Sequence, residues 1–183
     1  MTQIRALDLS GVFELVPVRR EDPRGYFCEV FNARDFARTG HTIDFVQDNQ
    51  SLSLAAGTVR GLHLQAPPHA QAKLVRVLRG AIFDVAVDLR PGSATYGRWT
   101  GLELSADIGN QLFIPAGFAH GFMTLTAEAE VHYKTSAFYD RESEMALRWD
   151  DPDLGIAWPK AFAPVLSDKD AAAPFFRDFV SPF

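Results

Sequence analysis

The sequence predicts an all-β chain, an antiparallel sandwich or barrel with only short peripheral helices. Three observations carry that prediction. Short runs rich in Val, Ile, Phe, Tyr and Thr recur along the chain. Gly/Pro corners such as Asp22-Pro23-Arg24-Gly25 and Pro115-Ala116-Gly117 separate them. Helical signals are brief. The 183 residues suit one domain, 1–183, with length enough for a core.

Taken in order, Gly11–Pro17 is β-rich, and the Asp22–Gly25 turn leads into a strand expected from Tyr26 to Phe31. There Glu29 shares parity with Phe27 and Phe31, which leaves open either an edge strand with a solvated carboxylate or a carboxylate with a task. Asn32–Gly40 reads as a short helix: Asn32 is a suitable N-cap and Gly40 a left-handed stop. Phe45–Leu54 is a strand with an unusual polar run, Gln47, Asp48, Asn49 and Gln50, which is either a polar edge or a set of ligand donors and acceptors.

The stretch from Gly57 to Gly80 is expected to form a β-hairpin, with one arm from Thr58 to about Gln65 and the other from Lys73 to Leu78. It sets Arg60, His63 and Lys73 among apolar neighbours. Three such groups are costly to bury without a purpose, so this segment is expected to form one wall of an active site. Strict alternation would send Arg60 and His63 to opposite faces, and a bulge at Gly61 would reconcile them. In Ala81–Leu89, Phe83, Val85 and Val87 face one way. Ile82, Asp84, Ala86 and Asp88 face the other, so Asp84 either points inward with the charges of the preceding segment or outward into water. Strand, turn and strand follow up to His120. Ala129–Phe138 is another strand, with Val131, Tyr133 and Thr135 on one face and His132 and Lys134 on the other. Trp149 and Trp158 flank a turn at Pro152. Ser167 with Asp170 fits a helix cap. The closing phenylalanines, Phe175, Phe176, Phe179 and Phe183, are expected to dock on the barrel or on a second subunit.

Composition narrows the function. A net charge of −5 argues against nucleic-acid binding through a broad basic surface, so an anionic ligand would need a local arginine cluster. The single cysteine, Cys28, precludes an intrachain disulfide and favours the cytoplasm. No apolar run suits a signal peptide or a membrane span. There is no glycine-rich phosphate loop and no dinucleotide fingerprint.

Two spacings resemble the cupin motifs of small jelly-roll barrels. Gly57, five residues and His63 resemble the first motif, and Gly109, five residues and Pro115-x-Gly117-x-x-His120 the second. The resemblance implies a cupin-type jelly-roll barrel. Gln65 and Lys73 stand where metal-binding cupins place a second histidine and a glutamate. A protonated ammonium repels a cation, so no metal is expected.

Seven stretches, in order, resemble the dTDP-4-dehydrorhamnose 3,5-epimerase family: DPRGYFCEVF, FVQDNQSLS, GTVRGLHLQ, QAKLVRVLRG with FDVAVDLRPGSATYGRW, IPAGFAHGF, AEVHYKTSAFY, and WDDPDLGIAWP with LSDKD. They cover about residues 11–170, and the tail at about 171–183 lies outside them. The resemblance implies an isomerase that inverts C3 and C5 of dTDP-4-dehydro-6-deoxy-D-glucose without a cofactor, in dTDP-L-rhamnose biosynthesis. It implies His63 as base, oriented by Asp170, with Tyr133 as acid on the opposite face and Lys73 holding the enolate oxygen. For binding it implies Arg24 and Arg60 on the diphosphate, Tyr139 stacked on thymine, His120 on the sugar, and Gln47, Asp48, Asn49, Glu29, Glu144 and Lys169 at further positions. It also implies a homodimer in which the strand carrying Arg24 and Glu29 enters the partner's site. Single-centre epimerases and ketoisomerases of related sugars stay open as alternatives, because the pose of the sugar decides which carbon faces His63. A metallo-cupin oxygenase and a non-catalytic sugar-binding cupin are the more distant alternatives.

Overall fold

A computed structural model describes all residues, Met1–Phe183. In chain order it contains β1 (Gln3–Ala6), β2 (Phe13–Val16), β3 (Arg19–Asp22), β4 (Gly25–Cys28), α1 (Ala33–Phe36), β5 (Gln47–Ser53), β6 (Val59–Gln65), β7 (Lys73–Arg79), β8 (Ala81–Asp88), β9 (Trp99–Ser105), β10 (Gln111–Ile114), β11 (Phe118–Thr124), β12 (Ala129–Thr135), β13 (Glu144–Ala146) and α2 (Asp168–Ala171). A 3₁₀ turn at Ala37–Thr39 extends α1, and another lies at Phe176–Asp178.

Two antiparallel sheets face each other. One has the order β1-β2-β10-β7-β12-β5 and the other β13-β6-β11-β8-β9, while β3 and β4 form a separate two-stranded arm. Val75, Val77, Leu112, Ile114 and Val131 from the first sheet meet Ile82, Ala86, Leu104, Phe118 and Phe122 from the second in the central core. The outer faces are covered too. Phe36 of α1 and Phe31 and Phe45 lie over Leu15, Leu74 and Phe113. Trp158, Leu154 and the tail residues Phe176, Phe179 and Phe183 lie over the outer side of the second sheet. Both faces of each sheet are therefore apolar, which blurs the period-2 pattern in the sequence.

The expected hairpin does not form. Its two arms are strands where expected, but β6 pairs with β11 and β13, whereas β7 pairs with β10 and β12. The loop between them crosses from one sheet to the other. Gln65 secures that crossing from a buried position: its amide donates to the carbonyls of His69 and Phe138 and accepts from Asp140 N–H. The strand expected over Tyr26–Phe31 is shorter, ending at Cys28. The helix over Asn32–Gly40 forms as read, with the Asn32 side chain capping Arg34 and Asp35 N–H and Gly40 in the left-handed conformation. The polar run of β5 lies on the edge of its sheet. The closing phenylalanines dock on the same chain's barrel.

Candidate active site

Gly61 decides what the site contains. In the pairing of β6 with β11, His63 faces His120 and Arg60 faces Phe122, so β6 carries one extra residue between them. That bulge is Gly61, with φ +121°, and a Cβ there would lie 2.6 Å from Gly121 Cα. A side chain is excluded by both conformation and space. Val59, Leu62 and Leu64 consequently pack in the outer core, while Arg60 and His63, three positions apart, both reach the cavity between the sheets.

That cavity, about 460 Å³, is lined by Arg60, His63, Lys73, His120, Tyr133 and Asp170 among others. A second, adjoining space of about 330 Å³ shares His63, Lys73 and Tyr133 and adds Gln47, Asn49, Gln65, Tyr139 and Glu144. His63 comes from β6 in one sheet and Tyr133 from β12 in the other. Imidazole and phenol thus enter one space from opposite walls.

His63 Nε2 lies 2.6 Å from Asp170 Oδ1. Asp170 serves in two ways at once: its N–H is capped by Ser167 Oγ at 3.1 Å, and its carboxylate is free to face His63. Burial would raise the Asp170 carboxyl, but the hydrogen bond and the charge of His63 prevail and hold it below the usual range. Lys73, almost fully buried, places Nζ 3.4 Å from the His63 carbonyl. Burial lowers its pKa to about 8, against the opposing pull of Asp84 and Glu144. Burial raises the Tyr133 phenol and keeps it protonated, opposed by the charge of Arg60. His120 is lowered by burial, and its Nε2 lies 2.7 Å from Asp84 Oδ1.

Around the rim, Tyr139 donates its hydroxyl to Glu144 at 3.1 Å, and Glu144 pairs with Lys169 at 2.6 Å. Gln47 accepts from Tyr139 N–H and donates to Asn49. Arg60 donates to Ser53 Oγ and the Leu52 carbonyl. Three residues of the expected set lie elsewhere. Asp48, between Gln47 and Asn49, is turned by strand alternation to the opposite face, where it pairs with Lys134. Arg24 is in solvent and paired with Asp22. Glu29 accepts from Asn32 and lines a separate hollow with Phe27 and Arg20.

Asp84 was not among the expected site residues, and its parity left both an inward and an outward orientation open. It is fully buried, and its Oδ2 has no hydrogen-bond partner. Ser51, Thr58, Val165 and Leu166, which nothing local in the sequence singled out, also line the cavity. No three His, Cys, Asp or Glu side chains converge as metal ligands would. Two imidazoles, a phenol and an ammonium instead make a site suited to moving protons beside a carbonyl.

The dTDP-4-dehydrorhamnose 3,5-epimerase family model matches residues 6–178. The chain belongs to the dTDP-4-dehydrorhamnose 3,5-epimerase family. It is 52% identical over 170 residues to the dTDP-4-dehydrorhamnose 3,5-epimerase of Sinorhizobium fredii, covering 93% of this chain and 87% of that protein. The crystal structure of the dTDP-6-deoxy-D-glucose-3,5-epimerase of Legionella pneumophila in complex with dTDP-4-keto-L-rhamnose superposes with a TM-score of 0.94 at 42% identity, over 98% of this chain and 95% of that one. A 3′-monoepimerase from Streptomyces bikiniensis in complex with dTDP-quinovose superposes at 0.86 and 38% identity, over 92% and 85%. The epimerase family model extends past the seven sequence stretches into the tail, so Phe175 and Phe176 fall inside it.

Proposed function

We propose that this protein inverts C3 and C5 of dTDP-4-dehydro-6-deoxy-D-glucose to give dTDP-4-dehydro-L-rhamnose, an isomerase step in dTDP-rhamnose biosynthesis. The observation that carries the reading is the entry of His63 and Tyr133 into one cavity from opposite sheets, with Lys73 in the same cavity. The C4 ketone acidifies the hydrogens at C3 and C5. His63 takes the proton from one face of the ring, and the electron pair of the broken C–H bond moves onto the ketone oxygen. The Lys73 ammonium stabilises that enolate oxygen electrostatically. Tyr133 then delivers a proton to the opposite face of the same carbon, and the configuration is inverted. Asp170 orients His63 and stabilises its protonated form. Electrons are only redistributed within the substrate, so the chemistry requires no electron carrier.

Arg60 is the diphosphate ligand in this reading, and His120 contacts the sugar. Gln47, Asn49, Tyr139 and Glu144, which line the second space, receive the nucleoside together with Lys169, which lines the first cavity and pairs with Glu144. Arg24 and Glu29 lie outside the cavity of their own chain, on or beside an arm whose Tyr26 and Phe27 are 58% and 69% exposed. We assign that arm to a second copy of the chain, as a homodimer in which Arg24 and Glu29 complete the partner's site. The chain acts as one unit over residues 1–183, in the cytoplasm. No helix is long and apolar enough to cross a membrane.

The test is NMR of the 4-keto sugar nucleotide with enzyme in deuterium oxide. Exchange and inversion at both C3 and C5 are expected, and His63→Ala abolishes both while keeping nucleotide binding. Inversion at C3 alone would make the protein a monoepimerase, like the structural relative from Streptomyces bikiniensis. Undiminished exchange in His63→Ala would remove His63 as base.

A further inference from the structure

Asp170 stands on a helix of one turn, Asp168–Ala171. So short a helix has no stability of its own and keeps its place only through what it is tied to. On its N-terminal side, Val165 N–H donates to the Gly57 carbonyl and Val59 N–H to the Val165 carbonyl, both at 2.9 Å. On its C-terminal side, one residue makes the connection. Arg148 Nη1 donates to the Ala171 carbonyl at 3.0 Å, its backbone N–H donates to the Pro174 carbonyl at 2.9 Å, and its guanidinium lies 5.1 Å from the Phe175 ring. The preceding residue, Leu147, exchanges two backbone hydrogen bonds with Leu62, at 3.1 and 2.9 Å. Leu62 is the neighbour of His63. A path of five residues therefore ties the end of the Asp170 helix to the strand that carries His63.

Past Pro174 the chain is fixed a second time. Phe176 N–H donates to Asp151 Oδ2 at 2.6 Å, and Asp151 is itself buried, with its other oxygen capping Asp153 and Leu154. The Phe176 ring lies 5.4 Å from Tyr96, and a Cβ on Gly97 would come within 3.0 Å of it. The sequence marks this end only by its phenylalanines, and the cavity does not include them.

We propose that Arg148 and Phe176 are positioning residues for the reaction, holding the Asp170 carboxylate against His63 from outside the cavity. The proposal rests on the assignment of His63 as base. An arginine paired only with a surface carboxylate would contribute little. Arg148 does pair with Asp150 at 2.7 Å, but it also holds the Ala171 and Pro174 carbonyls while its neighbour Leu147 is bonded to β6, and a misplacement of about 1 Å beside the chemistry costs up to ~100-fold in rate.

The test uses the full chain with Arg148→Ala, Phe176→Ala and the conservative Arg148→Lys, which can still donate to the Ala171 carbonyl. Phe36→Leu, on the far sheet, serves as a control for lost stability alone. Well below their melting temperatures, Arg148→Ala and Phe176→Ala are expected to lower kcat by ~10-fold or more. They are also expected to move the acid limb of the pH–rate profile in the sense that Asp170→Asn moves it, and to weaken the low-field imidazole N–H resonance shared with Asp170. Arg148→Lys recovers most of the rate, and Phe36→Leu moves neither the limb nor the resonance. If Arg148→Ala does not fold, Phe176→Ala decides. Wild-type kcat with an unmoved acid limb in Phe176→Ala and every folded Arg148 variant would overturn the proposal and leave the His63 assignment intact. Exchange surviving in His63→Ala would instead overturn that assignment.

Discussion

His63 Nε2 and Asp170 Oδ1 are 2.6 Å apart, although 107 positions separate the residues in the chain. Strand β6 delivers the first and a single helical turn the second. The Asp170 carboxylate is 6% exposed, so the contact is shielded from water that would otherwise compete for it.

Asp170→Asn separates the two services of this residue. The backbone N–H still bonds Ser167 Oγ, so the helix start is kept, while the negative charge beside His63 is lost. The rate kcat/KM is expected to fall by roughly 100- to 10,000-fold with little change in melting temperature. Steady-state kinetics and thermal melts check it. A large loss of stability would show that the carboxylate is mainly structural.

Tyr133→Phe removes the proposed proton donor from the six-stranded wall and keeps the ring that packs in the central core. Exchange on the His63 face is expected to continue, with net inversion reduced by ~100-fold or more. NMR in deuterium oxide separates the two. Full inversion by this variant would take Tyr133 out of the mechanism.

Lys73→Met should trade activity for stability. Loss of the ammonium proposed to stabilise the enolate is expected to cost ~100- to 1,000-fold in kcat. Folding releases the Lys73 proton at about 8 rather than the usual 10.5. Between those values the unfolded chain binds more protons, so wild-type stability rises with pH across that window and is lowest below it. The Met variant lacks this dependence and at neutral pH should be more stable by about 3 kcal/mol. Denaturant titrations at pH 7 and pH 10 measure both effects. A Met variant no more stable than wild type at pH 7 would refute the buried-ammonium account.

Much of this was legible in the sequence because it depends on local chemistry. Asn32 and Gly40 bound the short helix through cap and turn geometry, and Gly61 had to be irregular if Arg60 and His63 were to share a face. What was not legible is long-range. Both arms around the Gln65–Lys73 loop had strand composition, but nothing local tells a hairpin from a crossing between sheets, since the same residues are buried either way. Asp48 lay within a polar run in which alternation separates it from Gln47 and Asn49, but only the register of β5 on β12 showed which of the two faces meets the cavity. The parity of Asp84 allowed either face, and the partner that fixes it, His120, lies 36 residues on.

That last pair leads to the remaining prediction. The Asp84 carboxylate is fully buried, spends one oxygen on His120 and leaves the other without a donor. Such an atom is costly to keep unless its charge is used. Its charge opposes the burial that lowers Lys73, as that of Glu144 does, and opposes the burial that lowers His120. Asp84→Asn keeps the size and a hydrogen bond to His120 while removing that support, so the Lys73 ammonium should lose its proton at lower pH. If the Lys73 ammonium carries the reaction, the basic limb of the pH–rate profile is expected to follow its titration and to move to lower pH in Asp84→Asn. A ¹³C label introduced at Lys73 by reductive methylation reports the same titration directly. An unmoved limb and an unmoved Lys73 titration would mean that Asp84 serves only to hold the His120 ring.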